Sequence, residues 1–593
     1  MKRFIIGSVL IITLFTACNT FEETPAHIVS LKKVLIADVK KLIDQESYLE
    51  AVQYLSRLQR ESTEVSKDEL ADLQKEARDG IIKKFRQAVE NKDFSLALCF
   101  FLSLKSISAL DEVKDWNENE LRLKLAETSL KNGNEQLALL EYMQVLHNPS
   151  LEAKGYKRLL ALAAGNNNIA AIRRIISVMR AGDYPVPRKY IDLTKQATPI
   201  STMVEGTVTI WVNRGVKLDK GVGRPNIVLG SGFFVDKRGY IMTNYHVIAS
   251  EVDPEYEGYS RCYIILSDNR DQKIPAKVVA YDKLLDLALL KAEITPKYVF
   301  STIDDNTIST GQKITVIGSP VGLENTVTAG IVSSTARRIM QVGSAIQIDA
   351  PVNFGNSGGP VISEDGNLIG VVFAGLEEFE GLNFALPAKW INKMLGRLFG
   401  GEQAVHMWAG IALKETQNGL EVIYVMPGDP AFQAGIRTGD IIDKVNDREY
   451  TNIVDIQSLF LSYEHPALIS FSVKRNEHLI TIPVCLEKRP FIPLETALDR
   501  DIKVNLLYPL FGMKLEKVGT YLWETHYQVE RVLEGSAAEE IGLSQLDSVY
   551  IRGWAFDPKN KIVQVQILAK RRKKGFLEAI VYLPAFLKTN YFI

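Results

Sequence analysis

The chain has 593 residues and a formal net charge of −1, which leaves no excess positive charge for a dedicated nucleic-acid binder. At roughly 150 residues per domain a single core is excluded, and about four domains are expected. Its four cysteines, Cys18, Cys99, Cys262 and Cys485, are far apart, so no metal site or disulfide framework is spelled out.

Residues 1–18 read as a targeting segment and not as part of the fold. Lys2 and Arg3 precede the apolar run Phe4–Phe15, which is too short to span a membrane. The run ends in Phe15-Thr-Ala-Cys18. This resembles a bacterial lipobox, with phenylalanine where leucine is usual. The resemblance implies cleavage before Cys18, lipidation of its sulfur and an exported lipoprotein on the periplasmic or cell-surface side. The three remaining cysteines would then be free, buried thiols.

Residues 26–180 are expected to be helical. Glycine and proline are scarce, and Leu, Ile and Ala recur at three- and four-residue spacing. Ser66 and Glu69 are placed as a capping box with Val65 and Leu70 as its staple, and Asn117 with Glu120 repeats that logic. Polar turns at Asp44–Ser47, Asn91–Asp93, Asn132–Asn134 and Gly165–Asn168 each lead into a helix with an early alanine. These units are similar to tetratricopeptide (TPR) repeats of irregular spacing, which implies a groove for a protein partner. A plain helical spacer is the other reading. Residues 181–200, with Pro185, Pro187 and Pro199, read as a linker.

A separate β-rich unit is expected over 201–398. Between Trp211 and Val228 the sequence reads as a polar, solvated loop carrying Arg214, Lys217, Lys220 and Arg224. Apolar runs at Gly232–Val235 and Tyr240–Thr243 around an Asp-Lys-Arg-Gly turn predict a hairpin, and His246 follows its second strand. Asp286 opens the apolar run Leu287–Leu290, with Asp282 as its competitor for a partnership with the histidine. Ser357 sits in Gly355-Asn-Ser-Gly-Gly, where glycines leave the N–H groups of Gly355 and Ser357 able to converge on one point. A serine hydroxyl needs a base to take its proton, and an imidazole held by a carboxylate is such a base.

Thr-Asn-Tyr-His246-Val, Asp286-Leu-Ala-Leu-Leu and Gly-Asn-Ser357-Gly-Gly-Pro resemble the triad motifs of the HtrA (Deg) serine proteases, over about Gly206–Pro387. Tyr245 and Phe354 depart from the common pattern, which has asparagine and proline there. The resemblance implies a chymotrypsin-like double β-barrel and a catalytic triad of His246, Asp286 and Ser357. Gly355 and Ser357 would form the oxyanion hole, and no metal or cofactor would be needed. It also implies a homotrimer or higher oligomer acting on unfolded or C-terminally exposed proteins. Val352, Ala374 and Leu382 would line an apolar pocket that takes small or medium aliphatic residues, with Glu377, Glu378 and Glu380 in an exposed hairpin loop.

Residues 405–488 resemble a PDZ domain. Trp408-Ala409-Gly410-Ile411 takes the place of the carboxylate-binding loop, Val425–Ala431 and Gly435–Ile442 continue the match, and Ile453–Tyr463 predicts a helix walling the groove. Residues 495–593 repeat the plan with decay, Asp547 matching Asp440 and Leu510–Met513 matching the loop. Lys570–Lys574 read as the cationic end of a helix, with a membrane-headgroup patch as the alternative. The expected architecture is a TPR-like helical region, a double barrel and two PDZ-like α+β domains. A non-enzymatic lipoprotein scaffold or chaperone is the alternative function.

Overall fold

The computed structural model describes residues 36–61, 67–148, 151, 153–195, 198–301, 308–319, 326–375, 382–401, 403–521, 524–573 and 575–593. The expected leader with Cys18 and the expected cap at Ser66 therefore lie outside the described residues.

Helices Tyr48–Glu61, Lys67–Glu90, Phe94–Ser106, Glu118–Lys131, Glu135–Gln144, Ala153–Gly165 and Ile169–Ala181 pack consecutively. The four expected turns fall at helix junctions, and each places one residue at positive φ: Glu46, Lys92, Gly133 and Asn167. The next polar residue can then cap the following helix. Asp93 accepts from Leu96 N–H at 3.1 Å and Asn168 from Ala171 N–H at 2.8 Å, as Asn117 does from Glu120 at 3.0 Å. The stretch read as a linker contains the helix Arg188–Leu193, whose Tyr190 is buried in the helical core beside Ile175 and Met179.

This region is docked on the rest of the chain. Gln136, 3% exposed, donates from Nε2 to the carbonyls of Val235 at 2.6 Å and Phe300 at 2.7 Å. Arg238 donates to Asn132 O at 2.9 Å and Asn134 Oδ1 at 2.6 Å. At its other end, Arg57 and Arg60 donate to the last carbonyls of the helix Pro430–Ala434, and Gln53 Oε1 accepts from Cys485 N–H at 2.6 Å.

Strands β1 (Thr207–Asp219), β2 (Val222–Asp236), β3 (Tyr240–Thr243), β4 (Arg261–Leu266), β5 (Asn269–Asp282) and β6 (Leu287–Ala292) close one barrel in the order β1-β2-β3-β6-β5-β4. Strands β7 (Lys313–Gly318), β8 (Thr326–Arg337), β9 (Ala345–Ile348), β10 (Pro360–Ser363), β11 (Leu368–Gly375) and β12 (Asn383–Pro387) close a second, ordered β10-β11-β12-β9-β8-β7. Phe233, Leu287 and Leu289 of the first barrel, Ile317, Val371 and Leu386 of the second, and Trp390 of the helix Ala388–Gly400 share one fully buried cluster. The expected polar loop at 211–228 is instead a long extension of the β1–β2 hairpin. Its cross-strand pairs run to Asp219↔Val222, and both faces of this extension are exposed, Val216, Leu218 and Val222 included.

In the next unit β13 (Met407–Trp408) pairs with β20 (Glu487–Lys488). Strands β14 (Ile411–Thr416), β15 (Gly419–Val425), β16 (Ile441–Val445), β18 (Leu468–Arg475) and β19 (His478–Cys485) form a sheet in that order, with β17 (Arg448–Glu449) against β16. The helix Ile453–Phe460 forms as expected. The last unit is an antiparallel sheet of β21 (Met513–Tyr521), β22 (Glu524–Val532), β23 (Ser548–Asp557), β24 (Ile562–Lys573) and β25 (Gly575–Phe586).

The internal repeat is visible bond for bond. Met426 N–H donates to Gly410 O at 2.9 Å, and Leu533 N–H to Gly512 O at 2.8 Å. Arg437 N–H reaches the Asp440 carboxylate at 2.9 Å, and Ser544 N–H the Asp547 carboxylate at 2.9 Å. Beyond β23 the copies diverge: β24 follows directly, and among the described residues no helix stands where Ile453–Phe460 walls the first groove. Lys570–Lys573 therefore belong to strand β24 and not to a helix end, and Lys570 pairs with Glu578 across to β25 at 2.7 Å. Cys99, Cys262 and Cys485 are free and buried, and burial pushes the Cys262 thiol up to about 12.

Replacing Gln136 by Ala strands two buried carbonyls, so the chain is expected to lose about 2 kcal/mol. Differential scanning calorimetry checks this, and an unchanged melting temperature refutes the docking role.

Candidate active site

Two loops of the first barrel clasp each other. His246 lies in the first turn of the helix Tyr245–Val252, which follows the end of β3 at Thr243. Its Nδ1 is 2.7 Å from Asp286 Oδ2, and its backbone N–H donates to Asp286 Oδ1 at 2.9 Å. The Asp286 carbonyl accepts in turn from Asn244 Nδ2 at 2.8 Å and Tyr245 N–H at 3.2 Å. Asp286 precedes β6 with φ 53°, a left-handed conformation that Asp tolerates better than most residues. The imidazole is 46% exposed, so its far nitrogen is reachable from the cleft.

Ser357 lies on the edge of the second barrel. Gly358 N–H donates to Val372 O at 2.8 Å, and Val372 N–H to Gly359 O at 3.0 Å. Ahead of it, Asn356 N–H donates to Asn353 O at 3.0 Å, which closes a tight turn with Gly355 at φ 98°. Neither Gly355 N–H nor Ser357 N–H donates to another group among the described residues, so both are available to a ligand oxygen. Gly358 is compulsory, because a Cβ there would lie 2.1 Å from Ser231 O and 2.4 Å from Thr243 Oγ1. This close approach sets Ser357 beside the end of β3, two residues before the histidine turn. Among the described residues no hydrogen bond joins Ser357 Oγ to His246, whereas His246 and Asp286 are joined. Such bonds are commonly long before substrate binds.

A trypsin-like peptidase domain family matches residues 230–371, a PDZ domain family residues 409–486, and a TP0546 family PDZ domain residues 494–587. A domain of unknown function, DUF8517, matches residues 30–124. A probable periplasmic serine endoprotease DegP-like of Marinomonas sp. (strain MWYL1) is 30% identical over 338 residues, which are 54% of this chain and 70% of that protein. The chain belongs to the HtrA/DegP family of serine endoproteases. A DegP-like relative from Chlamydia pneumoniae is 30% identical over 307 residues, 49% of this chain and 61% of that protein. The solved structure of an HtrA-type protease AlgW with tripeptide is 26% identical, covers 49% of this chain and 96% of its own, and has a TM-score of 0.42.

This HtrA/DegP-type protein is a serine peptidase, and the rest of its site can be read in that light. Asp282, the competing carboxylate, is 1% exposed and committed elsewhere: its Oδ2 is 2.8 Å from Nε2 of buried His406. Its Oδ1 accepts from Leu284 N–H at 2.8 Å and Leu285 N–H at 3.1 Å, which shapes the loop that carries Asp286. Burial alone would raise its carboxyl, but His406 and the two N–H groups outweigh it and hold the group below the ordinary carboxylate range.

Ser231 gave no functional signal in the sequence. Its Oγ donates to Gly355 O at 2.6 Å and accepts from Ser319 N–H at 2.9 Å, while its own N–H donates to Ser357 O at 2.7 Å. One small residue thus fixes the turn that bears both expected oxyanion donors. Of the expected pocket residues, Val352 is half-buried against the second-barrel core and Leu382 is half-buried just before β12. Ala374 pairs with Phe384 across β11 and β12, and Asn383 Nδ2 donates to Ala350 O at 2.9 Å, tying β12 to the approach to Phe354. Phe354 itself is 76% exposed. Glu377, Glu378 and Glu380 lie outside the described residues.

Removing the Asp282 carboxylate by Asp282→Asn leaves a buried partner uncompensated, at an expected cost of about 3 kcal/mol at neutral pH. Because the folded-state pKa is depressed, this contribution is complete above the ordinary value near ~4 and is lost as pH falls through the lower folded value. The gap in melting temperature between the two proteins is thus expected to narrow as pH falls from about 4 towards the lower folded value; a gap that stays constant over that window refutes the assignment. Ser231→Ala is expected to lower kcat about tenfold with little change in KM, since a displaced turn misaligns the reacting groups. Steady-state kinetics on a peptide substrate read this out, and a KM-only effect contradicts it.

Proposed function

We propose that this chain is an exported, membrane-tethered endopeptidase that hydrolyses peptide bonds of unfolded or partner proteins by acyl transfer at Ser357. The observation that carries the reading is the 2.7 Å contact between His246 Nδ1 and Asp286, which fixes the ring and commits Nε2 to the base role. Ser357 Oγ attacks the scissile carbonyl as His246 takes its proton, and Asp286 stabilises the imidazolium. The N–H groups of Gly355 and Ser357 receive the oxyanion. Collapse of the intermediate breaks the C–N bond, with His246 returning the proton to the leaving amine. Water, deprotonated by the same imidazole, then hydrolyses the acyl-enzyme and restores the serine.

The apolar character of Val352, Ala374 and Leu382 favours cleavage after small or medium aliphatic residues. The first PDZ domain recruits chain ends through Trp408–Ile411, and the protein works as a homotrimer or higher oligomer. The exposed Val216, Leu218 and Val222 of the β1–β2 hairpin offer it an apolar contact. The DegP-like relatives are named periplasmic, which suits an exported lipoprotein anchored at Cys18. Among the described residues no helix is long and apolar enough to cross a membrane. The helical region, read as TPR-like repeats, serves a protein partner on whatever face its docking leaves open.

Incubating the purified chain and its Ser357→Ala variant with a reduced, unfolded protein tests this. Fragments are expected only from the unmodified chain, with termini mapping after Ala, Val or similar residues by mass spectrometry. Fragments from both proteins or from neither overturn the reading, and cuts after Lys or Arg overturn the pocket assignment.

A further inference from the structure

The peptide groove of the first PDZ domain is filled by this same chain. Residues 591–593 run antiparallel to β14, with Phe592 bridging Ala412. Leu413 N–H donates to Tyr591 O at 2.8 Å, and Ile593 N–H donates to Ile411 O at 2.9 Å. The main-chain oxygen of Ile593 accepts from Gly410 N–H at 3.0 Å and Ile411 N–H at 3.3 Å, the donors of the expected carboxylate loop. This is strand addition at a sheet edge, with backbone bonds giving affinity and alternate side chains giving specificity.

The side chains fit that mode. Ile593, 2% exposed, enters the apolar cluster with Ile411, Ile453, Ile456 and Phe460 between the sheet and the groove helix. Phe592 points the other way, stacks on Trp408 at 5.7 Å between ring centres and meets Tyr424 edge-on at 6.2 Å. A second anchor lies on the groove helix. Buried Gln457 donates from Nε2 to Asn590 O at 3.1 Å and Phe592 O at 3.0 Å, while its Oε1 accepts from Gly343 N–H at 2.8 Å. Asn590 Nδ2 also donates to Arg338 O at 2.8 Å. Arg338 and Gly343 belong to the loop joining β8 to β9 of the second barrel.

We propose that Asn590–Ile593 is an intramolecular ligand of the first PDZ groove. A protein C-terminus ending in an aromatic residue followed by an aliphatic one must displace it to bind. When such a terminus arrives, the four main-chain bonds to β14 and its loop pass from the internal segment to the incoming one, and the bonds of Gln457 and Asn590 to the internal segment are released. The apparent affinity of the intact chain for an external terminus is reduced by the fraction of time its groove is vacant. The proposal concerns binding and is independent of the chemistry at Ser357.

The test uses a fluorescent peptide of residues 588–593 with a free carboxylate, titrated by anisotropy into the full chain carrying Ser357→Ala, so that the probe is not cut. A second protein adds Phe592→Ala and Ile593→Asp. The vacated protein is expected to bind the probe at least about tenfold more tightly than the parent, a difference of about 1.4 kcal/mol, and to lose it when the probe is amidated. Gln457→Ala, which leaves Ile593 in its pocket, is expected to give a smaller gain in the same direction and serves if the double variant fails to fold. Equal affinity across the proteins, or no binding by either variant, overturns the proposal.

Discussion

One carboxylate, shared between a backbone N–H and a ring nitrogen of the same residue, organises the cleft. Asp286 can grip His246 at both points only because its own carbonyl is held by Asn244 and Tyr245, so the two loops define each other. The grip sets the direction of the imidazole and the tautomer with Nδ1 protonated. Asp282 contributes from below, its oxygens spent on Leu284, Leu285 and His406, which leaves Asp286 free for the histidine. The second barrel meets this arrangement through Ser231, whose hydroxyl and amide bind the turn and the serine from the opposite side.

Much of this was legible in the sequence because it depends on local chemistry. The β2–β3 hairpin, the apolar run behind Asp286, the glycines around Ser357 and the polar turns between helices are each set by a few adjacent residues. That His246 meets Asp286 and not Asp282 also follows from position, since a residue abutting a buried strand is fixed by it. What could not be read depends on pairing over long separations. Ser231 looks like any serine between glycines until Gly355 is folded against it. The stretch around Arg214 and Lys217 looks like a loop because it is charged and exposed on both faces, and only its pairing with β2 makes it a strand. Lys570–Lys573 carry a charge run compatible with a helix end, and the partner strand β25 decides otherwise.

The second PDZ-like unit shows what a repeat keeps where, among the described residues, it has no groove helix. Its turn bonds persist, yet the position of Gly439, at φ 94°, is taken by Leu546 at φ 72°, a strained setting for a bulky side chain. Its surface is used to cover its neighbour. Arg531 pairs with Glu421, Tyr424 donates to Asp501 at 3.0 Å, and Arg500 reaches Asp429 at 2.7 Å. Asp429 also receives the indole N–H of Trp408 and crowds Gly410, where no side chain fits. The peptide loop of the first unit is thus buttressed by the second.

The helical region touches the barrels through Gln136 and Arg238, and the first PDZ unit through Gln53, Arg57 and Arg60. It works as a strut: a swing of the groove away from the cleft shears buried bonds at one end or the other. The span between the first PDZ groove and the Ser357 turn is therefore set by the fold and not by a slack connection.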